Sequence, residues 1–175
     1  MPEFSLLFVI SQSLAALAFT SGIIAFQQHQ RSAMLKFWFV SALLNACHFA
    51  VLAQYQAALF VGLTSIRFLV AAISPRQRWM YVFLALSSAL FIVSYSSALN
   101  VLPFVAAVVG TVGSFQKSVV LVRIMMAIGA SAWIVHNILI GSPVAVLMEV
   151  AFLSSNLVGY LRSRKLKPVT TESQS

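Results

Sequence analysis

Leu44-Asn45-Ala46-Cys47-His48 closes one apolar run, and Ala132-Trp133-Ile134-Val135-His136 closes another 88 positions later. Upstream, Phe26-Gln27-Gln28 and Arg31-Ser32 are echoed by Phe115-Gln116-Lys117-Ser118. A stretch of about 40 residues thus occurs twice, and paired repeats in a membrane chain often bracket a substrate path. The copies differ where chemistry would sit. Glu149 stands opposite Val61, Arg67 opposite Ser155, and Trp133 opposite Asn45.

The setting is lipid. Of 175 residues, 61% are hydrophobic and only 8% charged, with a mean hydropathy of +0.95. A soluble domain carries about a quarter charged residues. This chain cannot cover a surface with polar groups, so membrane lipid is its expected partner. The net charge of +8 does not point to nucleic acid. Its basic residues stand singly or in pairs between apolar runs, not in a stripe interleaved with aromatics. Only Arg162, Arg164, Lys165 and Lys167 cluster, and they read as an orientation signal. The one cysteine, Cys47, cannot form an intrachain disulfide. The first run is too long for a signal-peptide core and lacks a basic start, which predicts a retained span.

Seven apolar segments are expected at 4–26, 33–53, 56–73, 79–95, 99–115, 119–140 and 143–161. Each approaches the length that crosses a hydrocarbon core of ~30 Å as helix; the fourth and fifth are the shortest. Helix is the economical choice because lipid leaves no partner for an open backbone group. Ser74-Pro75 ends the third segment. Gly141-Ser142-Pro143 makes a turn with Ser142 as N-cap. The basic residues Arg31, Arg76, Arg78, Lys117 and those of the tail fall in alternate connections. That bias predicts a periplasmic N-terminus and a cytoplasmic C-terminus. The expected fold is therefore all-α, with seven transmembrane helices as two parallel three-helix bundles. Residues 1–73 form the first, 74–98 a linker helix, 99–161 the second and 162–175 a polar cytoplasmic tail.

This arrangement resembles the SWEET sugar transporters and the wider PQ-loop superfamily. The stretch Trp133-Ile134-Val135-His136-Asn137-Ile138-Leu139-Ile140-Gly141-Ser142-Pro143 looks like their second-to-third helix hairpin. Gln27 and Gln116 fall where the PQ glutamine would, although no proline precedes either. A closer resemblance is to bacterial inner-membrane proteins of the YgjV type. It is carried by Trp133, His136-Asn137, Gly141-Ser142, Met148-Glu149, Phe152-Leu153 and Asn156, with Leu102-Pro103 and Arg67. The second resemblance implies the fold and a bacterial inner membrane, and no particular activity.

Glu149 is the only carboxylate within an apolar segment; Glu3 and Glu172 are terminal. A charge there costs roughly 2.5–3.5 kcal/mol on insertion scales, and such groups usually face an interior or a cavity. The SWEET resemblance puts a substrate-binding residue at this position. The bland alternative is a buried structural carboxyl. His136 is expected at a depth similar to Glu149 across the hairpin, which would make a proton-exchanging pair. His48 is its repeat mate and could equally be an interhelical hydrogen-bonder. Arg67 either binds an anionic group or snorkels to headgroups. A direct Arg67–Glu149 bridge is not expected, because the two fall in opposite halves of the bilayer. Asn45, Asn137 and Asn156 either meet a polar ligand or serve as interhelical glue. Trp38 and Trp79 read as core or interface anchors, whereas Trp133 is a ligand candidate through the resemblance.

The expected substrate-binding set is Asn45, His48, Arg67, Trp133, His136, Asn137, Glu149 and Asn156. Asn45, His48, Trp133, His136 and Glu149 are expected in the outer half, with Arg67 and Arg123 nearer the cytoplasm. No catalytic constellation, metal spacing or phosphate loop stands out, so neither an enzyme nor a cofactor is expected. The function expected is alternating-access movement of a small polar solute, such as a sugar, across the inner membrane. The competing expectation is a non-transporting receptor or assembly protein, because fold alone does not fix function. A homo-oligomer is compatible with either.

Overall fold

The computed structural model describes residues 6–53, 55–95, 97–139 and 143–165. Among them are seven α-helices and no strand: α1 (Leu6–Gln27), α2 (Arg31–Val51), α3 (Tyr55–Ile73), α4 (Gln77–Ser94), α5 (Val101–Ser114), α6 (Val119–Leu139) and α7 (Pro143–Lys165). A 3-10 turn, Ala98–Asn100, leads into α5. The expected turn at Gly141-Ser142 and the tail from 166 onward lie outside the described residues. The basic cluster is partly helical, because α7 continues to Lys165.

The outer surface is apolar, and polar side chains are buried beside a core that includes Met34, Leu35, Phe68 and Phe115. Leu6, Leu59, Ile92 and Val93 are more than two-thirds exposed, while Ser11, Ser65, Thr111, Ser114, Arg67 and Arg123 are buried. That distribution suits a lipid solvent, where apolar side chains face outward and small or polar ones mediate helix contact. Helices α1, α2 and α6 are each long and apolar enough to cross a membrane. Helix α5 has 14 residues, about 21 Å of helix, and reaches farther only with the turn before it.

Local chemistry sets the boundaries. Pro75 stops α3, and Arg76 holds an extended backbone (φ −78°, ψ 132°) before α4. Ser97 and Asn100 form a capping box. Helix α2 starts two residues earlier than the hydropathy suggests, at Arg31. The guanidinium there is not left in lipid: it reaches carbonyls on α3 and beyond the end of α5.

Helices α2 and α6 each pack against the helix before and the helix after them. Helix α1 also packs on α7, and α3 on α5, while α4 meets α3 and α5. Small residues permit the close approaches. Ser41 Oγ donates to Ala18 O at 2.7 Å between α2 and α1. Eighty-eight positions on, a Cβ added at Gly129 would stand 3.6 Å from Ala106 O between α6 and α5.

Candidate functional site

The six helices other than α4 enclose a cavity of about 350 Å³. This lies within the ordinary range for small-molecule sites. Its walls carry two ionisable groups, Arg67 from α3 and Glu149 from α7, with Asn45, Ser41 and Thr64 as further polar groups. Several lining positions are related by the same offset of 88: Asn45 and Trp133, Val61 and Glu149, Trp38 and Met126.

Arg67 is 7% exposed. Its Nη1 donates to Thr111 Oγ1 at 2.9 Å and to Ala107 O at 3.4 Å, so α5 holds it. Its Cζ lies 4.8 Å from the Phe68 ring centroid, within cation–π range. Its Nε is buried without a hydrogen-bond partner. The snorkelling alternative therefore gives way to anchorage inside the bundle. Glu149 forms no ion pair with any described residue. The two expected in opposite halves of the bilayer thus line one cavity, and they do not pair.

Four aromatic side chains border one end of this cavity. Trp38 lies edge-on to Phe26 (4.9 Å between centroids) and to Phe152 (5.5 Å), and stacks on Phe68 (5.8 Å). Trp38 Nε1 is also buried without a partner. Trp38 is more than an anchor: it is part of the cavity wall. The offset pairing with Met126 was a sequence signal for this position, although periodicity alone does not tell a packed tryptophan from a lining one.

Beyond the aromatics lie two arginine clamps. Arg31, first residue of α2, donates through Nε to Gln116 O and through Nη2 to Ser114 O at the end of α5. Its Nη2 also reaches Ala71 O on α3 at 2.9 Å. Arg123, in the first turns of α6, donates to Phe26 O and Gln28 O at the end of α1, both at 2.7 Å. Its Nη1 reaches Asn156 O on α7 at 3.3 Å. Arg31 thus joins the end of α5 to α3, and Arg123 joins the end of α1 to α7. Such multiple charge-assisted bonds to carbonyls are what a buried guanidinium requires. Gln27 Nε2 adds a 2.8 Å bond to Ser155 Oγ.

The histidines mark the opposite end. His48 Nδ1 lies 2.9 Å from Ser11 O and 2.8 Å from Ser11 Oγ. His136 Nδ1 lies 3.2 Å from Leu99 O. Both bonds span 37 positions, and their residues differ by the same 88. His48 and His136 are therefore interhelical ties and do not line the cavity. The expected His136–Glu149 pair is not formed among the described residues: His136 Nδ1 faces Leu99 O, and its ring lies edge-on to Trp133, 5.6 Å between centroids. Asn156 is likewise off the cavity: its Nδ2 donates to Arg123 O at 2.7 Å. Asn137 is buried on α6 and is no part of the lining. Of the eight expected residues, Asn45, Arg67, Trp133 and Glu149 come together.

A second cavity of about 600 Å³ lies beside α4, between α3 and α5. Arg67, Val61, Thr64 and Trp133 border both. Its remaining walls are largely apolar, with Phe49, Phe83, Phe91 and Phe104 among them.

A family model described as a bacterial inner membrane protein, Imp-YgjV, matches residues 9–167. The chain belongs to this Imp-YgjV family. It is 25% identical over 154 residues to the inner membrane protein YgjV of Escherichia coli (strain K12), covering 87% of this chain and 84% of that protein. No solved structure matches. Membership of the Imp-YgjV family places the chain in a bacterial inner membrane, in agreement with its apolar outer surface. The matched span contains the whole cavity, both clamps and both histidine ties.

Proposed function

We propose that this Imp-YgjV protein moves a small polar solute across the inner membrane by alternating access. The moving parts are two three-helix units, α1–α3 and α5–α7, joined by α4. One observation carries the reading: a cavity enclosed by the six helices of both units, with Arg67 and Glu149 in its walls. Unpaired ionisable groups inside a membrane protein mark a solute path by default. The offset of 88 shared by lining positions and histidine ties supports duplication. The resemblance to SWEET and PQ-loop proteins points the same way. In this reading the aromatic layer and the reciprocal arginine clamps hold one end shut, and the histidine end is the open side. Rocking of one unit against the other would exchange them.

Cysteine accessibility tests it. In a Cys47→Ser background, Asn45→Cys is exposed to a membrane-impermeant maleimide in right-side-out and in inside-out vesicles. Transport predicts labelling from both faces, with saturable solute exchange in proteoliposomes. Labelling confined to one face under every condition, without exchange, would make the protein a receptor.

A further inference from the structure

We infer that the central cavity binds a small zwitterion, such as a neutral α-amino acid, with its carboxylate on Arg67 and its ammonium on Glu149. This deepens the proposed transport reading, and as a binding site it stands independently of movement.

The charges carry the inference. Among the described residues the cavity wall holds one guanidinium and one carboxylate, and no other Lys, Arg, Asp, Glu or His. A neutral sugar requires neither group. A lone anion would leave Glu149 uncompensated beside it, and a lone cation would leave Arg67 so. In a low-dielectric interior either mismatch is heavily penalised. A solute that carries both charges compensates both walls at once.

The geometry separates the two charges without isolating them. Arg67 immediately precedes Phe68, and Glu149 lies one helical turn before Phe152. Phe68 and Phe152 both contact Trp38. The two groups enter the cavity wall from α3 and from α7. Arg67 is held back by Thr111 and by the Phe68 ring. Arg67 is the cationic group of this wall, and a carboxylate supplies the acceptor oxygens that a guanidinium takes. From α7, Glu149 accepts from an ammonium, and the Trp133 ring on α6 lines the same cavity as a cation–π surface. The volume of about 350 Å³ admits an amino acid with a modest side chain.

The test uses the intact chain, purified in detergent, in a thermal-shift screen with the neutral amino acids. Each hit is repeated as its amide, which keeps only the cation, and as its α-hydroxy acid, which keeps only the anion. Glucose serves as a neutral polyol. The expected result is stabilisation by the amino acid, with each single-charge analogue at least tenfold weaker in Kd. Glu149→Gln should lose that preference, binding amino acid and hydroxy acid alike. Glu149→Gln removes no hydrogen bond seen among the described residues, so it disturbs folding less than loss of Arg67, which is bonded to Thr111. Equal binding of amide and amino acid, a response to glucose alone, or no response from monodisperse protein would each overturn the zwitterion assignment. Glucose binding with liposomal exchange would leave transport standing and the assignment lost. Amino-acid binding without exchange would do the reverse.

Discussion

Arg67 and Glu149 are legible in the sequence for one physical reason: an ionisable group is expensive in an apolar segment, so its presence demands an explanation. Their shared cavity is not legible. It depends on how α3 and α7 are placed around α2 and α6, which hydropathy does not encode. The histidines show the opposite failure. They are conspicuous by type, yet Nδ1 of each ring is used by Ser11 or Leu99. His48→Ala should lower the detergent unfolding temperature, by about 1 kcal/mol of stability, while leaving ligand-induced stabilisation unchanged. A lost ligand response would return His48 to the site. Ala53 is the one described non-glycine residue with a positive φ, 57°, closing α2. Ala53→Gly should stabilise by about 1 kcal/mol, read as a raised melting temperature. Gly159 is constrained by space: an added Cβ would overlap Phe26 O and stand 2.5 Å from Arg123 Nη1. Gly159→Ala should cost at least ~2 kcal/mol in the same assay.

The helices follow directly from apolar runs and their breaks. Pro75 and the capping box at Ser97 end and start elements where their chemistry requires. What the sequence conceals is the purpose of the charges at helix starts. Arg31 and Arg123 look like members of an orientation signal, and both are instead committed to carbonyls on other helices. These contacts set an expectation at the scale of the elements. Arg31→Gln removes charge-assisted bonds that join α2 to α3 and α5. In the Cys47→Ser background with Ser41→Cys in the cavity wall, Arg31→Gln should raise maleimide labelling from the clamped face several-fold. Arg123 is 2% exposed and holds α1 to α7 through α6. Arg123→Ala should lower stability by roughly 3 kcal/mol, since its loss leaves several buried carbonyls unmatched. If Arg31→Gln left labelling unchanged, the clamp would be a fastening and not a gate.

For the whole molecule, the clamps and the basic connections lie at one end and the histidine ties at the other. Cytoplasmic loops carry the excess of Lys and Arg in inner-membrane proteins. Arg76, Arg78 and Lys117 belong to the same end as Arg31 and Arg123, which predicts a cytoplasmic clamped end and a periplasmic histidine end. A green fluorescent protein fused after Ser175 should therefore fluoresce, and alkaline phosphatase fused there should be inactive. Alkaline phosphatase inserted between α2 and α3 should be active. The converse pattern would invert the molecule and make the clamp a periplasmic closure. Orientation is settled during insertion, by cationic residues counted across several connections. Arg31→Gln removes one of them and leaves Lys36, Arg76, Arg78 and Lys117 in place. The same fusions made in the Arg31→Gln protein should thus report an unchanged topology. With topology fixed, any gain in labelling from the cytoplasmic face of that variant measures opening of the bundle, not a population of inverted chains.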